Sequence, residues 1–124
     1  MSLDYVCERS HRSINMLCIH PSALRVRLAD AWDEGMSQIA PSEIPEGWDS
    51  ARLLLSTLRA EFNRREDSRS GNARASLRRR HDTTLVALAK KMVSLDAWFQ
   101  TMFEAHGQQM TGEKQGHSRR TDSA

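Results

Sequence analysis

The sequence predicts an all-α fold: a small antiparallel bundle of three main helices, with the N-terminal stretch as a candidate fourth element. Three observations carry this. Apolar residues recur in steps of three and four within three separate segments, which is the period of one helical face. Short runs rich in Pro, Gly, Ser and Asp separate those segments. Hydrophobic residues make up 39% and charged residues 27% of 124 residues. That balance suits one globular domain that builds its core without a disulfide framework or a metal.

Residues 1–19 are expected to form an N-terminal arm or a short helix. Asp4 has the chemistry of an N-cap, but Tyr5, Val6, Ile14, Leu17 and Cys18 give only a broken stripe. Met16-Leu17-Cys18-Ile19 is too short for periodicity to assign. Met16 also offers a second start, which would leave the first fifteen residues outside the protein.

The bundle is expected over 20–106. Its first helix spans His20 to Ala40, with His20 or Ser22 before it and Pro21 in the first turn. Leu24, Leu28, Ala31 or Trp32, Gly35 or Met36, and Ile39 form its apolar face, and Pro41 forces the stop. The run Pro-Ser-Glu-Ile-Pro-Glu-Gly over 41–47 is a short turn with Ile44 pointing inward. The second helix spans Asp49 to Arg65, with Asp49 as N-cap. Ala51, Leu54, Leu55, Leu58 and Phe62 form its stripe, widened by Leu53. A loop follows over 66–71. Ala73, Leu77 and His81 suit a short helix, and Asp82-Thr83-Thr84 reads as a fresh start, with a single helix over 72–105 as the alternative.

The third helix, Asp82 to Ala105, carries the strongest stripe: Leu85, Leu88, Met92, Leu95, Phe99 and Met102. Gly107 suits a C′ stop. Residues 107–124 are polar and glycine-containing, and are expected to be a disordered tail.

No catalytic or nucleotide-binding motif stands out, so the chain is expected not to be an enzyme and to use no cofactor. Cys7, His11, Cys18 and His20 have zinc-ligand chemistry. Their spacing matches no standard finger, and no metal is assigned. His81 and His106 stand beside no recognisable nucleophile or carboxylate pair. No run approaches the ~18 apolar residues of a membrane span, and no signal peptide is visible, so a cytoplasmic protein without a membrane partner is expected.

Charge is uneven although the net charge is only +2. Residues 29–50 hold six acidic residues and no Lys or Arg, whereas 64–82 hold seven arginines. Arg74, Arg78, Arg79 and Arg80 are candidates for binding phosphate or an acidic partner. No aromatic platform or recognition helix accompanies them. Val86, Val93, Trp98 and Phe103 flank the main stripe of the last helix. Of these, Val93, Trp98 and Phe103 are the candidate contacts for a protein partner. The expected function is therefore a non-enzymatic protein-interaction or regulatory role, with a second copy in a homodimer among the partners. The alternative is a nucleic-acid-associated protein that grips the phosphate backbone through 64–82.

Overall fold

The computed structural model describes residues 3–19 and 23–115, with only the backbone for Ile19 and for 107–115. Among them are five α-helices and no strand: α1 (Leu3–Ile19), α2 (Leu24–Glu34), α3 (Asp49–Phe62), α4 (Asn72–Leu77) and α5 (Asp82–Gln115). The all-α expectation holds.

The long helix α5 is the scaffold. Leu85, Leu88, Met92, Leu95, Phe99 and Met102 are each at most 2% exposed. Fully burying such a side chain is worth about 1.5–3 kcal/mol, so this one face anchors the domain. The face of α3 packs on it through Ala51, Leu55, Leu58 and Phe62, and α2 contributes Leu28, Ala29, Ala31 and Trp32. The indole of Trp32 stacks on Phe62 with centroids 4.9 Å apart and planes 7° from parallel. The Arg59 guanidinium lies 5.6 Å from the same indole. It also donates to the carbonyls of Ser37 and Ile39 at 3.0 and 2.6 Å.

Contact pairs show that α5 runs antiparallel to both α1 and α3. Cys7 meets Phe99 while Ser10 meets Asp96, so α1 and α5 point in opposite directions. Arg80 pairs with Glu61 at one end of the α3–α5 pair, and Trp48 touches Trp98 at the other.

Several expectations need correction. Residues 3–19 form a full helix of 17 residues rather than an arm or a short helix. Its buried face is Val6, Ser10, Ser13 and Leu17. The spacing is helical, but the two middle positions are serines, so the apolar pattern is broken. Val6, Ser10 and Ser13, all N-terminal to Met16, are thus part of the core. Ser13 Oγ donates to the Ala31 carbonyl at 2.6 Å and accepts the Met36 N–H at 2.8 Å. Ser10 Oγ donates to Asp96 Oδ1 at 2.7 Å. Each buried hydroxyl is satisfied, which removes the penalty for burying it.

The helix expected over 20–40 ends six residues early, at Glu34. Gly35 leaves helical geometry at φ −140°, ψ −84°, and a 3₁₀ turn (Met36–Gln38) and an extended Ile39 follow. Met36 and Ile39 still reach the core at 0% exposure. Residues 20–22, which include His20 and the proposed Pro21-Ser22 start, lie outside the described residues; α2 begins at Leu24 after Ala23. Ile44 does point inward, at 2% exposure. Arg52 clamps its turn by donating to the Pro41, Ile44 and Pro45 carbonyls.

Trp48, not Asp49, is the N-cap of α3, and α3 stops at Phe62 rather than Arg65. Leu53 does not widen the buried face of α3; it is 68% exposed. α4 and α5 are separate helices, joined by a turn at 78–81. Arg25 closes α4 by donating to the Leu77 and Arg80 carbonyls at 2.9 and 2.6 Å.

Gly107 does not end α5, whose backbone continues to Gln115. At 34 residues the helix is about 51 Å long, against about 26 Å for α1. Of the tail expected over 107–124, residues 116–124 lie outside the described residues.

Candidate interaction surfaces

Besides Leu53 on α3, the exposed large apolar residues described all lie on α5. Val86 is 42% exposed, Val93 51%, Trp98 39% and Phe103 42%. They do not form one strip. With 100° per residue, Val86 and Val93 point the same way to within about 20°, whereas Trp98 is turned about 140° from Val93.

Val86 and Val93 line a shallow groove of about 460 Å³ together with Leu24, Ala89, Lys90 and Ser94. Leu24 is the first residue of α2, so the groove is a seam between two helices. Its floor is apolar, and Lys90 and Ser94 are its polar members. Trp98 instead faces the turn before α3, edge-on to Trp48 at 6.1 Å and 77°. Phe103 stands one residue past Met102, the last buried residue described on α5. Apolarity alone groups Val93, Trp98 and Phe103, and helical phase separates them. Leu24 escaped that grouping because it reads as an ordinary core position of its own helix.

The arginine segment is largely engaged with carboxylates of its own chain. Arg74 Nη2 reaches Asp30 Oδ1 and Oδ2 at 3.0 and 3.3 Å. Arg78 Nη2 lies 3.7 Å from Asp67 Oδ2 and donates to Ser70 Oγ at 3.0 Å. Arg80 Nη1 donates to Glu61 Oε1 at 2.9 Å, and Arg64 sits 3.7 Å from the same carboxylate oxygen. Arg79 is exposed. The Arg74–Asp30 pair joins the basic segment to the acidic stretch within one molecule.

Local electrostatics follow from these contacts. The Asp67 carboxylate accepts the Arg69 and Ser70 N–H groups and the Ser70 hydroxyl, which hold it below the usual carboxylate range. Asp33 is pushed the other way. The surrounding chain strips part of its water, Asp30 and Glu34 add like charge, and Arg74 offsets part of the rise. Partial burial also lowers the Arg59 guanidinium from its ordinary value.

The zinc-type cluster is not assembled. Cys7 and Cys18 are eleven residues apart on one helix, about 16 Å along its axis, too far to share an ion. His20 lies outside the described residues. The Cys7 thiol donates to the Phe99 carbonyl at 3.4 Å. Burial first, then Asp96 and Asp4, push its pKa up to about 11. It is a packed thiol rather than a thiolate ligand. Among the described residues no group of three or more His, Cys, Asp or Glu side chains is placed to hold a metal ion. Among the same residues no helix is long and apolar enough to cross a membrane.

No family model, curated protein or solved structure matches this chain.

Proposed function

We propose that this is a non-enzymatic, cytoplasmic protein-interaction module that docks a helix of a protein partner along the α2–α5 seam. The observation that carries the reading is the exposed pair Val86 and Val93 on one groove with Leu24 and Ala89. Exposed contiguous apolar surface bordered by polar groups is what partner sites present. The i, i+3, i+7 spacing of Val86, Ala89 and Val93 is the ridge against which another helix packs. A second copy of the chain is the first partner to test, as a two-fold dimer using the same seam twice.

Backbone binding by the segment 64–82 has less support. Arg74, Arg78 and Arg80 are each committed to a carboxylate of this chain. Displacing those pairs would offset part of what phosphate contacts gain.

Light scattering at micromolar concentration tests the dimer: a mass of about twice 14.1 kDa, falling on dilution, is expected. A photo-reactive residue at position 93, compared with one at position 79, tests the surface itself. Protein adducts at 93 are expected. Nuclease-sensitive adducts at 79 with none at 93 would replace this reading with the nucleic-acid one.

A further inference from the structure

We draw no further inference here: the strongest candidate, the pocket of about 200 Å³ at the bundle end between the start of α1, the Pro45–Trp48 turn and Met102–His106 of α5, carries nothing because its two titratable side chains, Glu46 and His106, are both exposed and nothing in the structure shows what ligand covers it.

Discussion

Gly35 approaches Ser13 so closely that the Ser13 hydroxyl and amide, with the Arg9 carbonyl, fill the space a side chain at position 35 would need. The contact joins α1 to the break after α2. It lets the Ser13 hydroxyl bridge the Ala31 carbonyl and the Met36 N–H. Gly35→Ala should therefore destabilise the protein by about 1–3 kcal/mol or more, since backbone rather than a flexible side chain must give way. Ser13→Ala should cost about 1–3 kcal/mol, because the Met36 N–H is left buried without an acceptor. Denaturant melts measure both. Unchanged midpoints would mean that α1 does not pack on the break as described.

Starting the chain at Met16 removes Val6, Ser10 and Ser13 from the core. Such a protein should lose cooperative unfolding, because the α5 and α2 surfaces under α1 become exposed. Leu58→Asp and Leu88→Asp should have the same effect from inside the bundle. An unpaired buried charge costs several kcal/mol, against a total stability of about 5–15 kcal/mol. A cooperative melt retained by the shortened chain would return the first fifteen residues to a dispensable arm.

These variants also mark how far the fold was legible. The α5 stripe from Leu85 to Met102 is buried at every position, because its period is unbroken and its residues are large. The α3 stripe is buried at Ala51, Leu55, Leu58 and Phe62 for the same reason. The α1 face was illegible because hydrogen bonding, not apolarity, makes Ser10 and Ser13 suitable for burial, and their partners Asp96, Ala31 and Met36 are distant in sequence. The early end of α2 hid behind Met36 and Ile39, which kept the apolar period after the helix had stopped. Ion pairing of the arginines was equally hidden, since Arg74 and Asp30 are 44 residues apart.

Asp33 gives a prediction in pH. Its carboxyl is raised in the folded protein by partial loss of water and by Asp30 and Glu34. A raised carboxyl disfavours folding where it must ionise, above its folded pKa. That cost disappears as pH falls below the ordinary value of about 3.9, where the group is protonated in both states. Asp33→Asn should raise the thermal midpoint at pH 7, and the gain should shrink to nothing near pH 3. A gain independent of pH would show that the carboxyl is not the cause.

Ending the chain after Gly107 should leave the thermal midpoint within a few degrees. The last buried residue described on α5 is Met102. The two-turn continuation to Gln115 runs past the length that α1 can cover. A lone helical end of this length is marginal in water and contributes little to the folded state. A large fall in the midpoint would mean that residues beyond Gly107 dock on the bundle.

The division of the exposed apolar residues into two surfaces makes Trp98 and Val93 behave differently. Trp98 packs edge-on against Trp48, and such a pair is worth about 0.5–1.5 kcal/mol beyond its buried area. Trp98→Ala should therefore lower stability, and a double-mutant cycle with Trp48→Ala should show coupling of about that size. Val93 is 51% exposed on the α2–α5 seam, so Val93→Ser should leave the melt within about 0.5 kcal/mol. If the seam holds the partner, Val93→Ser combined with Val86→Ser should abolish association while the monomer stays folded. Trp98→Ala should spare association at temperatures well below its melt. The reverse pattern, association lost with Trp98→Ala in a folded protein and kept with the valine pair changed, would move the docking surface to the α3 side of α5.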